Sequence, residues 1–232
     1  ARLSRNQARL NAALDSQRAA LFAPWIRVPD GYGGTMTISP EGYVAAARAK
    51  AHEVAGPWKA AAGENSRATY VVAPDQEFVV ADAEELNDNK VNIIRTIASS
   101  TRLYGWKSLS ADTDNCLFNT GADVDNRVVT EAEKQLEAYV FGVIDSSGHL
   151  LATGRATLVG IVSPMAAAGG LFARHDSDGN VLDPGYSVST DDTLNTVSSL
   201  ALNKIIAKVG IRVVPPAALG QLDVTKAAVT AA

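Results

Sequence analysis

The sequence predicts an α+β fold, in which a mixed β-sheet is flanked by helices and followed by an extended C-terminal arm. Strand-like segments at residues 91–97 and 204–214 carry apolar residues at alternate positions. Two segments between them, residues 126–143 and 150–168, carry apolar residues every three or four positions, as amphipathic helices do. Strands on both sides of a run of helices favour helices packed against a sheet.

Composition sets the size of the core and excludes several classes of site. The chain has 232 residues, 47% of them hydrophobic, and we expect a core domain at 1–220 and the arm at 221–232. Its net charge of −4 gives no attraction to nucleic acid or anionic membranes. The single Cys116 excludes an intrachain disulfide and a cysteine metal cluster.

Targeting segments are not expected either. We find no apolar run long enough to span a bilayer, and the opening residues are too polar for a signal peptide. The helical pattern begins at Ala1 itself, which suggests a fragment of a longer chain.

The N-terminal part is predicted to alternate between helices and strands. Residues 3–22 carry an apolar stripe at helical spacing, and Pro24 ends this helix. A second helix is predicted at 40–54, with Ser39 as N-cap and Pro40 at the first helical position. The shorter elements are a strand at 23–28, a glycine-rich loop at 31–34, strands at 70–72 and 78–80, and a short helix at 83–87.

Residues 91–110 are the centre of the predicted scaffold. Residues 91–97 and 102–109 are strand candidates joined through a short polar connection, which indicates a hairpin. Apolar residues of the first strand alternate with polar ones such as Asn92, which predicts one face in the core. Gly105 predicts a bulge or a close backbone approach.

The second half is predicted to contain two long helices and the last strands. Residues 126–143 form the clearest helix, with an apolar stripe of Val129, Ala132, Leu136, Tyr139, Val140 and Val143. The next helix, residues 150–168, contains Pro164, which should kink it or restart it with Ser163 as cap. Strands are expected at 186–190 and 204–214, and the latter ends at Pro215.

Candidate chemical sites all have more ordinary interpretations, so we predict no catalytic, cofactor or metal site. Trp58 and Lys59 suggest a cation–π clamp, but a buried tryptophan beside a solvated lysine is favoured. Glu133 and Glu137 suggest paired carboxylates, and an exposed charged helix face is favoured. The segment 176–180 lacks the ligand spacing of a calcium loop and predicts a hairpin turn. The histidines are scattered, and nucleotide-binding and hydrolase motifs are missing from the sequence.

Several short motifs, in order, resemble one protein family. The run Asn92-Ile93-Ile94-Arg95, followed by Tyr104-Gly105-Trp106-Lys107-Ser108-Leu109-Ser110, is similar to the core signature of contractile tail sheath proteins. The family more often has Ala-Arg-Thr at the positions of Trp106-Lys107-Ser108. The further matching motifs are Phe22-Ala23-Pro24-Trp25, the glycine loop at 31–34, Ser39-Pro40, Trp58-Lys59-Ala60, the turn at 166–172 and Val213-Val214-Pro215-Pro216.

The resemblance implies a structural protein without a catalytic site. Sheath proteins stack as hexameric rings around an inner tail tube, and their contraction drives the tube through a target envelope. This chain would be the C-terminal, tube-proximal part of such a protein in a virion assembled in the bacterial host cytoplasm. Its expected partners are further copies of itself, the tube protein, the baseplate and the tail terminator, with no nucleic acid and no membrane insertion. The alternatives are another tail component, such as a tube or baseplate protein, or an enzyme domain.

The C-terminal arm is the candidate inter-subunit site. It follows a Pro-Pro break and is too small to form a core of its own. Its β-branched residues suit an extended segment that pairs with the sheet edge of a neighbouring subunit. The candidate contact residues are Leu222, Val224, Thr225 and Val229. The alternative is a frayed tail.

Overall fold

The computed structural model describes residues 14–144 and 148–217 and confirms the α+β class. The helices are α1 (Glu41–Ala55), α2 (Val80–Asp88), α3 (Asn119–Leu136), α4 (His149–Ala167) and α5 (Val197–Ala201), and 3-10 turns lie at Gly63–Ser66 and Glu137–Tyr139. The strands are β1 (Leu21–Ala23), β2 (Ile26–Pro29), β3 (Thr35–Ile38), β4 (Ala73–Pro74), β5 (Val91–Ile97), β6 (Ser100–Tyr104), β7 (Arg174–His175), β8 (Val181–Asp183), β9 (Tyr186–Ser189) and β10 (Lys208–Ile211).

The strands form several small sheets and not the one mixed sheet that the sequence predicts. The central sheet has the order β1–β5–β6 and is mixed, because β1 is parallel to β5 and β6 is antiparallel to it. A second, antiparallel sheet has the order β3–β2–β4. The pairs β9–β10 and β7–β8 are two-stranded and antiparallel.

Strand β10 does not join β5, because both edges and both faces of β5 are already occupied. Strands β1 and β6 flank it. Ile94 on one face belongs to a cluster with α1, and Ile93 on the other packs with Leu86 of α2. Strands β9 and β10 instead pack on α4, where Val188 joins the cluster of Leu158.

The predicted hairpin at the centre is confirmed, although its second strand is shorter than expected. Ala98 and Ser99 form the turn with positive φ values of 48° and 61°, as two-residue hairpin turns require. Strand β6 ends at Tyr104 rather than continuing to residue 109. Beyond it, pairing is limited to the isolated bridge between Lys107 and Phe118.

Asn92 explains why the chain leaves the sheet after β6. The alternation in β5 predicted this residue on a solvent face, but it is fully buried. Its Nδ2 donates to the carbonyl oxygens of Leu21 (3.0 Å) and Lys107 (2.8 Å), and its Oδ1 accepts from the backbone N–H of Lys107 (2.6 Å). A Cβ on Gly105 would lie 2.8 Å from Asn92 Oδ1, so the predicted close approach at this glycine is confirmed.

The predicted N-terminal helix is wrong for its described part. Residues 14–20 contain no helix in the structure, and Leu21–Ala23 forms β1. The reason is tertiary, because Phe22 packs beside Trp106 and pairs with Asn92 of β5. Strand β2 then begins after Pro24, which has no N–H for a ladder.

Two further predictions in this region need correction. Ser39 does not cap α1: the N-cap is Pro40, without a side-chain cap hydrogen bond, and its carbonyl accepts from Val44. The strands expected at 70–72 and 78–80 are absent from this described segment. Within residues 70–80, Ala73–Pro74 forms the strand β4, which pairs with β2. Helix α2 begins at Val80 and ends at Asp88, so it is longer than the short helix expected at 83–87.

Helix α3 lies earlier in the chain than predicted. It runs from Asn119 to Leu136 instead of over 126–143, because Asn119 and Asp123 are buried with partners rather than solvated. Its buried face therefore uses Val124 and Val128, with Ala132 and Leu136 against the same cluster, while Val129, Val140 and Val143 are exposed.

Helix α4 agrees with its prediction to within one residue at each end, and Pro164 lies inside it. By length and composition it is also apolar enough to cross a bilayer, contrary to our expectation of no such run, and 22% of it is buried. Core helices meet the same criterion, and Leu158, Ile161, Val162 and Met165 of α4 form the cluster with α3.

The C-terminal strand is shorter than the expected 204–214. Asn195 holds residue 206 instead, since its Oδ1 accepts from Ile206 N–H (2.7 Å) and its Nδ2 donates to Ile206 carbonyl oxygen (2.8 Å). Strand β9 and the hairpin turn at 176–180 follow their predictions.

Candidate functional site

The predicted inter-subunit residues Leu222, Val224, Thr225 and Val229 lie outside the described residues. The other sites weighed in the sequence are inside them. Glu133 and Glu137 are exposed, and Asp176 closes its turn by accepting from Asp178 and Asn180 N–H groups. Within residues 14–144 and 148–217, no group of three His, Cys, Asp or Glu side chains is placed to hold a metal.

A buried charge cluster joins α1 to α3. The carboxylate of Asp123 on α3 is almost inaccessible and forms an ion pair with Arg48 of α1. Its Oδ2 also lies 3.2 Å from Nε2 of His52, one helical turn further along α1. Spacing of four residues places both basic groups on one face of α1, so a single carboxylate anchors two turns of this helix.

Burial sets the protonation of this cluster. Desolvation lowers the pKa of His52 below its usual value, and the positive charge of Arg48 lowers it further. Desolvation also lowers the pKa of Arg48, which leaves the guanidinium charged because an arginine titrates far above neutral pH. At neutral pH the guanidinium of Arg48 is therefore charged and the imidazole of His52 is neutral.

A cleft of about 750 Å³ opens beside this cluster, between the end of α1 and the α3–α4 pair. The apolar side of its lining comes from α4 and the segment after α1, and the polar side, with both signs of charge, comes from α1 and α3. The apolar residues are Pro57, Trp58, Ile161, Pro164 and Met165, and the polar ones are Arg48, His52, Asp123, Asn126, Arg127, Thr130, Glu131 and Gln135. Arg127 and Glu131 form an ion pair of 3.4 Å on the rim, in which Arg127 is exposed and Glu131 is partly buried. A cleft with an apolar side and a polar side suits an amphipathic segment of chain.

Trp58 is the residue that links the cleft to the rest of the fold. It is half-buried against the cluster of α3 and α4, whereas the sequence predicted a buried tryptophan, and Lys59 is exposed as predicted. Two glycines make room for the ring, because a Cβ on Gly56 or on Gly170 would lie within 2.5 Å of it.

Strand β3 is an exposed sheet edge. All four of its residues are exposed, and among the described strands it pairs with β2 alone. Met36 lies opposite Val28 and Ile38 opposite buried Ile26, so these two apolar side chains extend the core-facing side of the sheet into solvent. Exposed edges of this kind accept strands from other chains.

Neither the charge cluster nor the cleft was predicted. Asp123 lies 71 residues beyond His52 in the chain, and the sequence around these residues shows only an ordinary helix and a polar segment. The one available signal was the polar run of Asp and Asn residues at 112–125, whose second half lies in α3.

No protein-family model and no curated protein matches the chain. Solved structures do match in fold. A chain of the six-fold symmetrised cryo-EM structure of the anti-feeding prophage baseplate superposes with a TM-score of 0.78 at 19% identity, covering 93% of this chain and 56% of that one. A chain of the contracted sheath complex of the extracellular contractile injection system PVC gives a TM-score of 0.77 at 21% identity, covering 96% and 60%. The contracted helical sheath of the anti-feeding prophage gives 0.77 at 19%, covering 93% and 58%.

These matches cover nearly all of this chain but little more than half of each related one. They agree with the fold that the motifs from Phe22 to Pro216 implied. The chain therefore has the fold found in the sheath and baseplate structures of contractile injection systems.

Proposed function

We propose that the chain is part of a structural subunit of a contractile sheath. In this role, copies stack as hexameric rings around an inner tube, and contraction of the lattice drives the tube through a target envelope. The observation that supports this most is the fold shared with the PVC and anti-feeding prophage sheath structures over more than nine-tenths of the chain. The tube protein, the baseplate and a terminator would be its partners in a phage-like particle assembled in a bacterial cytoplasm.

We infer a structural rather than a catalytic role. The matched structures are sheath and baseplate assemblies. The buried charges that we found serve packing, since Asp123 is occupied by two side chains of α1. Binding of neighbours, not turnover of a substrate, is the activity that follows.

The arm is the proposed link between subunits. Leu222, Val224, Thr225 and Val229 would pair as an extended strand with the sheet edge of a neighbouring copy. The exposed edge of β3 offers unpaired backbone groups of the required kind. Main-chain hydrogen bonds would remain intact while subunits rotate, as contraction demands.

A baseplate component is the second candidate. It is favoured by one observation, the match with a TM-score of 0.78 to a chain of a baseplate structure. Sheath and baseplate subunits belong to the same kind of particle, so the position of the chain along that particle distinguishes the two candidates.

Immunogold electron microscopy tests the two. Antibodies raised against the exposed loop at residues 30–34 would label particles from the producing cells. Label along the whole shaft is the result expected for a sheath subunit. Label confined to one end supports the baseplate candidate, and enrichment of the chain outside all particles contradicts both.

A further inference from the structure

The described part of the chain ends beside the cleft. Val214 N–H donates to the carbonyl oxygen of Gly170 (3.3 Å), and Val213 forms an isolated antiparallel β-bridge with Leu171. Gly170 packs directly on the ring of Trp58, which lines the cleft. The last described residue, Ala217, is three residues beyond Val214, a reach of at most about 11 Å. The described residues therefore end near the apolar side of the cleft.

The cleft has the size and chemistry for a short peptide. Its volume of about 750 Å³ lies within the range of clefts that bind ligands, roughly 300–1,000 Å³. Apolar side chains on one wall give affinity, and Arg127 and Glu131 on the rim offer one charge of each sign. Arg127 is 59% exposed, so its ion pair with Glu131 is weak and can be exchanged at little cost, while Glu131 also lies 3.7 Å from Lys134.

Residues 218–226 complement these walls. Leu219 and Leu222 are the large apolar residues of the segment, and Asp223 and Lys226 follow them. The leucines match the wall of Trp58 and Pro164, while the two charges match Arg127 and Glu131 with opposite sign. Nine extended residues reach about 30 Å, which is enough to cross the cleft from its edge.

We propose that the cleft is the docking site for residues 218–226 of the same chain in the free subunit. The consequence rests on the proposed function: a docked segment is not available to the sheet edge of a neighbour, so docking holds free subunits apart. Assembly then requires release of the segment from the cleft.

A cysteine pair in the full chain tests the docking. Thr130→Cys, on the rim of the cleft, and Leu222→Cys are combined in a Cys116→Ser background and oxidised with glutathione disulfide. The matched control pairs Leu222→Cys with Thr35→Cys on the exposed edge of β3. We expect at least tenfold more disulfide from the cleft pair than from the edge pair, measured by mass spectrometry of proteolytic fragments. Equal yields, or a higher yield at the edge, would overturn the proposal.

Mixing ¹⁵N-labelled with unlabelled chains distinguishes the same chain from a second copy. Docking within one chain gives cross-linked peptides of a single isotope. Mixed isotopes would show that the cleft binds the segment of another copy, which contradicts the proposal. A charge swap is the second measurement: Arg127→Glu should lower the disulfide yield, and adding Asp223→Lys should restore it. No effect of either change argues against the docking.

The cross-linked chain also separates this proposal from the sheath role. If both hold, the oxidised chain stays unassembled and regains assembly on reduction. A cross-linked chain that assembles normally contradicts the control of assembly by docking. A chain that forms the intramolecular disulfide and never assembles, oxidised or reduced, supports the docking and contradicts the sheath role.

Discussion

Asn92 is the side chain that fixes the centre of the molecule. It lies in β5, yet three of its hydrogen bonds go to backbone groups of β1 and of the segment after β6. The Leu21 carbonyl lies in β1 and the Lys107 groups lie beyond the end of β6, so the amide links the two segments that flank β5. A buried polar group with all its partners in place specifies one arrangement of the chain.

We predict that Asn92→Ala lowers the free energy of unfolding by about 3 kcal/mol, because the change removes three hydrogen bonds made by a fully buried amide. Urea denaturation measures this. Asn126→Ala, at an exposed position on α3, is the control and should change stability by less than about 0.5 kcal/mol. Equal effects of the two changes would contradict the role of Asn92.

The charge cluster gives the protein a predicted pH dependence. Burial lowers the pKa of His52 in the folded state, whereas the unfolded histidine titrates near its ordinary value of about 6.5. As the pH falls through that value, the unfolded state binds the proton first, so stability is present above it and is lost below it. The groups facing His52 are Arg48 on its own helix and Asp123 on α3.

We predict that His52→Gln makes the stability less dependent on pH between about 7.5 and 5. Urea midpoints measured across this range give the slope. His149→Gln at the exposed start of α4 is the matched control and should keep the wild-type slope. An unchanged slope in His52→Gln would contradict the lowered pKa.

At the scale of elements, packing on Trp58 connects the end of α1 with the end of α4. The ring contacts Gly56, which follows α1, and Gly170, which follows α4. The spacing of apolar residues within α1 or α4 does not predict this contact. The contact around Trp58 lies between two hydrophobic clusters, one against the central sheet and one between α3 and α4.

We predict opposite effects on stability for two glycine-to-alanine changes, one at the Trp58 contact and one within α4. Gly170→Ala places a Cβ within 2.4 Å of Trp58 ring atoms, so it should destabilise the fold by about 1 kcal/mol or more and shift tryptophan emission to longer wavelength. Gly160→Ala in α4 meets no atom within 4 Å, and should stabilise by about 0.5–1 kcal/mol through helix propensity. Thermal unfolding and fluorescence measure both, and a stabilised Gly170→Ala would refute the tight contact.

The elements that sequence periodicity predicted well were those set by local pattern. Helix α4 and strand β5 have strong apolar periods and lie where they were expected. Residues 14–20 and 204–207 differ from their predictions because distant groups decide their structure. The strand β1 that follows residues 14–20 pairs with β5, and the Asn195 side chain bonds to the backbone of Ile206. The cleft could not be predicted, since Asp123 and Arg48 meet only after the two clusters pack.

At the scale of the whole molecule, the fold has features that suit assembly. Strand β3 exposes an edge with Met36 and Ile38, and Val214, near the end of the described residues, bonds to Gly170, which packs on Trp58 in the cleft. The residues with candidate inter-subunit roles follow that point.

We predict that deleting residues 222–232 leaves a folded chain that does not form tubes, because the link between copies is removed. Circular dichroism tests folding, and sedimentation velocity tests assembly. Removing only Ala231 and Ala232 is the control and should leave assembly intact. Normal tubes from the longer deletion would mean that the arm is not the link.

The central claim is that this fold assembles as a contractile sheath does. Cryo-EM of the purified chain under conditions that promote assembly tests it most directly, with helical reconstruction of any tubes. The account predicts hollow tubes built from stacked rings, with one copy of this fold in each asymmetric unit. Particles that stay monomeric under every condition, or maps without a helical repeat of this fold, would contradict it.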